Sequence, residues 1–405
     1  MKMWEQETIN EIRAKSAAGK YVVRGMGSKR DLPHFDSLVI LPAQISRPPI
    51  DSYREPCETK TVIGKRFAKK PLEMESPIIL GAMSFGAIGK DAKIAFAKGC
   101  KRLGIAVNSG EGGVLPEERK FADKLIVQYA SGRFGISSKI LNEADAIEIK
   151  IGQGAKPGMG GHLMGEKVSK EVAQIRGIPE KSDALSPSRH MDIVGPEDLS
   201  FKINQLREIT DWRIPIIVKF GPGRVESDVK IAAKAGADAV AIDGMQGGTG
   251  AAPEIGTEHA GIPTLAAVVE ADRALTEMGM RDDVDLIISG GIRNGADIAK
   301  AMALGASAVQ MATAPMISIG CTMCRQCHLG KCPVGIAAHG AEAKEKLAKD
   351  AEQRFVNYVN ATVKELKMLT QLAGLTNVHN LDVDDLRSLS YETSLITGIK
   401  LVGQK

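Results

Sequence analysis

The 405-residue chain is poor in aromatic residues and contains no long hydrophobic run. Nine Phe, five Tyr and two Trp stand against 43 glycines, which disfavours a sandwich with an aromatic core and favours an α/β fold with many close backbone approaches. No stretch approaches about 18 uninterrupted apolar residues, so we expect no membrane span. The start, Met1 to Glu5, lacks the apolar segment of a signal peptide.

Charge of either sign is not in large excess, and the cysteines are not spread along the chain. The net charge is +4, and no Lys/Arg run is interleaved with aromatics, so nucleic acid is not an expected partner. Four of the six cysteines lie between Cys321 and Cys332, unlike a disulfide framework. In a reducing compartment such crowding indicates metal binding. These features predict a soluble, cytoplasmic metalloprotein.

From Pro77 onward, short apolar runs alternate with stretches of helical periodicity. The eight predicted strands are Ile78–Gly81, Ile105–Asn108, Leu125–Tyr129, Ala146–Ile151, Ile214–Phe220, Ala237–Asp243, Leu286–Ser289 and Ala306–Met311. Their near-continuous hydrophobicity is typical of parallel strands buried on both faces. Predicted helices include Lys90–Leu103, Glu226–Ala235, Thr264–Met278 and Ala296–Leu304. The pattern predicts an α/β fold, a (β/α)8 TIM barrel. A doubly wound sheet is the alternative, disfavoured because no dinucleotide fingerprint follows the first strand.

The barrel is predicted over residues 77–320, after an irregular N-terminal cap over residues 1–76. Residues 321–340 form the cysteine loop. Residues 341–405 are predicted as a C-terminal helical appendix, with a long helical stretch over Ala341–Leu372 and a shorter one near Val383–Thr393.

Glycines and polar residues gather after the strands, whereas the loops at the opposite ends are short. Chemistry in such barrels lies at the carboxyl ends of the strands, which identifies one functional face. After the seventh strand, Ser289–Arg293 combines glycine amides with a helix start, which favours a phosphate site, with Met311–Ala314 as its other half. A tight βα turn is the alternative interpretation.

Cations collect on the same face. Lys219 ends the fifth strand, either as a surface lysine or as a positive charge beside the pyrimidine edge of a flavin. Several cations in one loop system suit a dianionic substrate. That loop system contains Lys150, Gln153, Lys156, His162 and Arg176. Glu111 lies among glycines, where a carboxylate has little structural purpose, and His162 has three open roles: proton donor, hydrogen-bonding group or solvated loop residue.

The cysteine loop has the spacing C-x2-C-x2-C-x4-C-P, formed by Cys321, Cys324, Cys327 and Cys332. Thiolates this close can hold one iron–sulfur cluster, as related spacings do in ferredoxins. Structural zinc is the alternative, although zinc ribbons separate two C-x2-C pairs more widely. Cys57 and Cys100 are isolated and are expected to be ordinary small residues.

Long motifs resemble the FMN-binding synthase domain of glutamate synthase. These motifs are Gly81–Gly86, Asn108–Gly113, Gln128–Gly135, Ile149–Gly158 and Cys327–Gly335. Ser186–His190 and Asn377–Leu386 look more like the stand-alone synthase subunits, including the archaeal-type large-subunit pieces and N-methylglutamate synthase. The resemblance implies that a hydride from FMN reduces 2-iminoglutarate, formed from 2-oxoglutarate and ammonia, to L-glutamate, with electrons entering through the cluster.

The resemblance also implies roles for individual residues. Lys150, Gln153 and Lys156 would line the pocket for FMN and substrate, Arg176 would clamp a carboxylate, and Glu111 would assist proton transfer or imine formation. We also expect His162 to contact the substrate. The FMN contacts implied by the resemblance are Ser84, Lys219, Gly248, Gly291 and Thr313. Further expected cofactor contacts are Met83, Asn108, Gln153, Gly247, Thr249, Gly290, Arg293 and Ala312. Cys321, Cys327 and Cys332 match the three ligands of a 3Fe–4S cluster.

Three departures from the family pattern matter. Cys324 stands where the family has a non-ligating residue, so a 4Fe–4S cluster stays open. Met159 and His162 replace a Glu and a Gln in the substrate loop. The glutaminase domain, the glycine-repeat β-helix and a NAD(P)H fingerprint are missing from the chain. We therefore expect separate glutaminase and β-helix subunits or free ammonia, and a ferredoxin or an NAD(P)H-oxidising reductase subunit as electron donor.

The sequence leaves alternative functions open. An N-methylglutamate synthase-like subunit would use an amine, and a non-catalytic electron-relay or scaffold subunit would keep the cofactors without turnover. The lysines and Arg176 argue against a relay, which needs no dianion site. A flavin 2-hydroxyacid oxidase is disfavoured because those barrels carry no cluster.

Overall fold

The computed structural model describes residues 4–404 and contains a closed barrel of eight parallel strands that follow one another in chain order. The barrel strands are Ile78–Leu80, Ala106–Asn108, Leu125–Ala130, Ala146–Lys150, Ile216–Phe220, Ala239–Asp243, Asp285–Ser289 and Ala308–Met311. Each corresponds to a predicted strand, with no boundary more than two residues away. The predicted fold class is confirmed.

Side-chain alternation along the strands separates an apolar layer inside the barrel from a polar layer above it. The strand residues of the apolar layer are Ile79, Ala106, Ile126, Ala146, Ile217, Ala239, Ala241, Ile287 and Ala308. Residues two positions further along a strand point to the same side. This places Gln128, Glu148, Lys219 and Gln310 above the apolar layer, toward the carboxyl ends of the strands. The polar residues of the functional face are therefore an extension of the barrel interior.

An antiparallel hairpin of the N-terminal cap closes the opposite end of the barrel. Its strands are Thr61–Ile63 and Leu72–Met74. Ile63, Leu72 and Met74 belong to the same apolar cluster as the inward-facing strand residues. Because both strands are only three residues long, their pattern was too weak to be predicted as a hairpin.

Helices cover the outside of the barrel. They are Lys90–Leu103, Pro116–Phe121, Ser138–Asn142, Pro196–Ile209, Val225–Lys234, Thr264–Glu277, Gly295–Ala303 and Thr313–Ser318. The excursion after the fourth strand, residues 151–195, contains the antiparallel strand pair His162–Leu163 and Ala184–Leu185 and the helix Lys170–Arg176. Further helices are Gln6–Ala18 near the start and Glu254–His259 after the sixth strand. Within residues 4–404, no helix has the length and apolarity needed to cross a bilayer.

The C-terminal segment forms two helices where one long helical stretch was predicted, and the second of them packs against helices of the barrel. The two helices are Ala341–Lys346 and Ala351–Leu372, and the break at Leu347 has extended backbone. Phe355 meets Phe96 edge to face, with ring centroids 5.1 Å apart. A Cβ on Gly99 would lie 2.5 Å from the Phe355 ring, so this glycine permits the close helix contact.

The shorter helical stretch predicted near Val383–Thr393 is wrong over its first half. A 3-10 turn, Val383–Asp385, leads into the strand Leu386–Ser388, which pairs antiparallel with Leu38–Ile40 of the N-terminal cap. Only the following segment, Tyr391–Thr397, is helical. The strand depends on a partner more than 340 residues away, which local periodicity does not reveal.

Candidate functional site

The loops after the barrel strands surround a cavity of about 400 Å³, within the usual size range of small-molecule sites. Most of the predicted site residues line it. These are Met83, Ser84, Glu111, Lys150, Gln153, Lys156, His162, Arg176, Lys219, Gly247, Gly248, Thr249, Gly290, Gly291, Arg293, Ala312, Thr313 and Cys327. Asn108 is the exception among the predicted FMN contacts. It is buried below the cavity, where its side-chain oxygen accepts from the Gly110 amide at 3.0 Å.

Lys219 presents an uncompensated positive charge to this cavity. Its side chain is only 5% exposed, and its ammonium has no hydrogen-bond or ion-pair partner within residues 4–404. Alternation along the fifth strand fixes its direction, since Ile217 below it belongs to the interior layer. A buried cation without a partner is unfavourable unless a ligand supplies negative charge or acceptors. The position therefore fits an anionic or electron-rich group in the cavity.

Lys156 is a second cation that has no carboxylate partner in the part of the chain that the structure describes. Its ammonium donates to the carbonyl oxygen of Ala251 at 2.7 Å and is almost fully buried. Burial, and then the charge of Lys150, lowers the pKa of Lys156 to about 8. A lysine in this range can hold or release a proton near neutral pH.

Arg176 reaches the cavity from the helix Lys170–Arg176. Its guanidinium donates to the carbonyl oxygen of Phe85 at 2.8 Å and to the Ser84 hydroxyl at 3.1 Å. Burial lowers the pKa of Arg176 to about 10, although the charge of Glu111 opposes this shift. A Cβ on Gly112 would lie 2.7 Å from the guanidinium, so the absence of a side chain there makes room for Arg176.

Glu111 is engaged by two side chains at once. Lys150 donates to one carboxylate oxygen and the Ser186 hydroxyl donates to the other. Burial alone would raise the pKa of Glu111, but the charge and hydrogen bond of Lys150, together with Ser186, lower it to about 2. The carboxylate is therefore ionised at neutral pH. Ser186 was noted in the sequence only as part of a motif, and its contact with Glu111 spans 75 residues.

Two other predicted residues have part of their hydrogen-bonding capacity occupied. His162 pairs with Asp183, with 3.0 Å between the ring nitrogen and the carboxylate oxygen. The Arg293 guanidinium donates to Asp297 at 2.9 Å and to Asp36, and these hydrogen bonds raise its pKa. Arg293 thus lines the cavity while its guanidinium is paired with two carboxylates, Asp36 and Asp297. The guanidinium is therefore engaged by carboxylates, whereas Gly290 and Gly291 of the same loop line the cavity.

A buried polar network beneath the cavity was not singled out from the sequence. Glu148, which is fully buried, accepts from Gln128 and from Gln310, both at 2.7 Å. Both glutamines line the cavity floor. The three residues come from the third, fourth and eighth strands, so only barrel closure brings them together. Gln128 and Gln310 follow Ile126 and Ala308 by two residues and therefore point to the inside of the barrel. This alternation is the sequence pattern from which they could have been predicted.

The cysteine loop lies beside the cavity. All four cysteines of the loop line one small pocket, and Cys327 also lines the main cavity. Cys324 is exposed, whereas Cys321, Cys327 and Cys332 are partly buried. The residues flanking Cys324, Met323 and Arg325, have left-handed backbone with φ of 55° and 59°. The loop therefore turns sharply at Cys324 and directs the other three cysteines inward.

The spacing of the sulfur atoms bears on the choice between zinc and a cluster. A tetrahedral zinc with Zn–S bonds of about 2.3 Å places its sulfurs roughly 3.8 Å apart. In the part of the chain that the structure describes, no three cysteine sulfurs lie within 4.8 Å of one another. The thiols converge on one pocket, and no three of the described cysteine sulfurs have the spacing of the ligands of one tetrahedral ion. Four thiols that line one pocket form a donor set able to ligate a metal centre.

A closed (β/α)8 barrel with a cation-lined cavity at the carboxyl ends of its strands is the architecture of a TIM-barrel enzyme. Solved structures agree on the fold. A putative lactate oxidase from Pediococcus acidilactici superposes with a TM-score of 0.55 at 15% identity, over 100% of this chain and 96% of that one. At this identity the likeness carries the fold and nothing further.

Sequence comparison gives the family. Residues 29–376 match the profile described as a conserved region in glutamate synthase. A glutamate synthase large subunit-like protein of Rhizobium meliloti is 43% identical, with 99% of this chain and 94% of the relative covered. An archaeal glutamate synthase (NADPH) of Methanocaldococcus jannaschii is 38% identical, with 99% and 85% covered. The chain belongs to the glutamate synthase family of oxidoreductases.

Proposed function

We propose that the chain is a synthase subunit that reduces 2-iminoglutarate to L-glutamate with FMN, using electrons delivered through an iron–sulfur cluster. One observation carries the proposal. The cavity contains three buried cations, Lys156, Arg176 and Lys219, that have no carboxylate partner among the described residues, and Cys327 also lines it. A relay subunit would need the cysteines but has no use for a site that attracts a dianion.

FMN fits the half of the cavity formed by the later strands. When bound, FMN would supply a hydride from N5 to the substrate. Lys219 would face its pyrimidine edge and offset the negative charge that reduction leaves there. The amides of Gly290 and Gly291 and the start of the helix Thr313–Ser318 would bind the phosphate. Support for this assignment comes from the Lys219 ammonium, which has no partner within residues 4–404, and from the glycine loops lining that side.

The substrate would occupy the half of the cavity near the excursion after the fourth strand. Arg176 would bind one carboxylate, and Lys150 and Lys156 would bind the other and the group at C2. Because the pKa of Lys156 is about 8, its Nζ can give a proton to the oxygen that leaves C2 as water when the imine forms. Glu111, ionised at neutral pH, would orient Lys150 as an acceptor rather than donate a proton itself.

The cluster would be held by Cys321, Cys327 and Cys332, with Cys324 as a potential fourth ligand. The partial burial of the first three and their shared pocket support this assignment. We further propose that the protein is located in the reducing cytoplasm. Its electron donor would be a ferredoxin or an NAD(P)H-oxidising reductase subunit. Its nitrogen would come from free ammonia or from a separate glutaminase subunit that acts with a glycine-repeat β-helix subunit.

Anaerobic purification followed by flavin, iron and sulfide analysis tests the cofactors. Assays with reduced viologen, 2-oxoglutarate and either ammonia or methylamine then test the reaction. We expect bound FMN, an EPR-active cluster and glutamate formation with ammonia. Lys156→Met should abolish turnover, whereas Lys234→Met, at an exposed helix end, should not. Protein without FMN would refute the proposal, and turnover with methylamine alone would replace ammonia by an amine as the nitrogen donor.

A further inference from the structure

Residues 23–28 of the N-terminal cap lie between the cysteine loop and the glycine loop that follows the sixth strand, residues 244–250. The Gly25 amide donates to the carbonyl oxygen of Arg325 at 2.9 Å. The next amide, that of Met26, donates to the carbonyl oxygen of Thr249 at 2.7 Å. Two successive residues therefore connect the loop that carries the cysteines to the loop proposed to hold FMN.

The glycines on either side of Met26 allow this close fit. A Cβ on Gly25 would lie 3.0 Å from Cβ and Sγ of Cys327. A Cβ on Gly27 would lie 2.7 Å from the carbonyl oxygens of Gln246 and Gly247. The backbone is thus packed directly against one cysteine on one side and against the glycine loop on the other. Met26 is the one residue of this tripeptide with a side chain.

The Met26 side chain forms part of both sites. It is 3% exposed, and it lines the main cavity as well as the small pocket of the four cysteines. Its backbone is left-handed, with φ of 68°, a conformation that costs free energy for any residue other than glycine. Glycine would adopt this conformation without strain, so the strain points to a role for the side chain.

The segment is anchored so that Met26 has little freedom to move. Val23–Arg24 pairs with Ala252–Pro253 as a short antiparallel ladder. Arg24 and Ser28 both bind the carboxylate of Glu258, with the serine hydroxyl donating at 2.7 Å. The anchors lie on both sides of Met26 and hold it against the two loops.

We infer that Met26 is the shared wall between the iron–sulfur site and the flavin site, and that its side chain excludes water from the path between the two cofactors. The inference rests on the proposed function. With both groups bound, each transfer along this path would oxidise the cluster by one electron and reduce the flavin by one. Two transfers and one proton taken up at N5 would give the hydride donor, and the external donor would re-reduce the cluster each time. The apolar Met26 side chain would keep water out of the space between the cysteine pocket and the main cavity.

The test uses Met26→Gly and Met26→Leu in the full chain, with Met302→Ala as control. Glycine accepts φ of 68° without strain, so the first variant removes the side chain while keeping the backbone. Leucine keeps most of the apolar volume. Met302 is a buried methionine, 4% exposed, that lines neither pocket.

The readouts are iron and flavin content, the midpoint potential of the cluster by EPR titration, and the rate of flavin reduction after mixing with reduced viologen. We expect Met26→Gly to shift the cluster potential and slow flavin reduction several-fold, while Met26→Leu and Met302→Ala behave like the parent protein. A Met26→Gly variant that matches the parent in potential and rate would overturn the inference. A parent protein lacking flavin or cluster would instead refute the proposed function, independently of the variants.

Discussion

Lys167 donates one hydrogen bond to the carbonyl oxygen of Cys327 at 2.9 Å and a second to that of Ala87 at 2.8 Å. One ammonium therefore joins the cysteine loop to the loop after the first barrel strand. Lys167 itself belongs to the excursion after the fourth strand, in the 3-10 turn Gly165–Lys167. Burial lowers its pKa to about 8, against the opposing effect of the nearby thiols. Three loops of the site meet at this side chain.

Removing the Lys167 ammonium should loosen the cysteine loop. Lys167→Met deletes two charge-assisted hydrogen bonds, each worth about 1.5–3 kcal/mol, and leaves two carbonyl oxygens without donors. We expect a lower melting temperature and a reduced iron content after anaerobic purification. Lys331→Met is the matched control, because Lys331 is an exposed lysine in the same loop. Equal iron content in both variants would contradict this role of Lys167.

The depressed pKa of Lys156 predicts a pH dependence of substrate binding. The ammonium charge is present below about pH 8 and is lost above it, so at pH 9 only about a tenth of the protein keeps the charge. We expect the KM for 2-oxoglutarate to rise between pH 8 and 9. Lys156→Arg should flatten this rise, since arginine stays charged. A parent KM that does not change across this interval would argue against Lys156 as a carboxylate ligand.

The same shift has a consequence for stability with a defined sign. The pKa of Lys156 is about 8 in the folded chain and near its ordinary value of 10.5 in the unfolded chain. The unfolded state therefore binds more protons between these values, and the Lys156 contribution to the free energy of unfolding increases with pH over this window. Denaturant titrations of the ligand-free parent and of Lys156→Met at pH 8 and pH 10 measure it. The pH-dependent gain should be smaller in the variant.

Lys219 should affect stability and flavin binding in opposite directions. Lys219→Met removes a buried charge that has no partner within residues 4–404, so the flavin-free variant should be more stable than the flavin-free parent. Flavin affinity should fall by about 10- to 100-fold, equivalent to the loss of one charged hydrogen bond. Thermal unfolding without FMN and FMN titration followed by fluorescence test the two effects separately. Unchanged FMN affinity would exclude Lys219 from the flavin site.

The four cysteines should not contribute equally to the cluster. Cys324 is exposed at the sharp turn of the loop, whereas Cys327 is partly buried and lines both pockets. We expect Cys324→Ser to retain iron and an EPR signal of 3Fe–4S type, and Cys327→Ser to lose both. Loss of the cluster in both variants would instead identify Cys324 as a ligand of a 4Fe–4S cluster.

The barrel could be predicted from the sequence because each of its strands is recognisable from a short apolar run. A parallel strand buried on both faces is nearly continuous in apolar residues, so all eight strands could be located within two residues. Elements that depend on distant partners were missed. Leu386–Ser388 becomes a strand only by pairing with Leu38–Ile40, and the hairpin at Thr61–Met74 is stabilised by the apolar layer of the barrel.

The sequence by itself determined the fold class, the predicted functional face and the residue types that line it. These features follow from the alternation of side chains within each strand and from the position of glycines after the strands, both of which are local in sequence. Only the tertiary structure decided which charges are left for a ligand. Arg293 is paired with Asp36, which is 257 residues away. Lys219, in contrast, has no ion-pair partner within residues 4–404. The tertiary structure also brings Met26 between Cys327 and the glycine loop. Ion pairs and shared walls form between remote residues, so they follow from packing and not from local pattern.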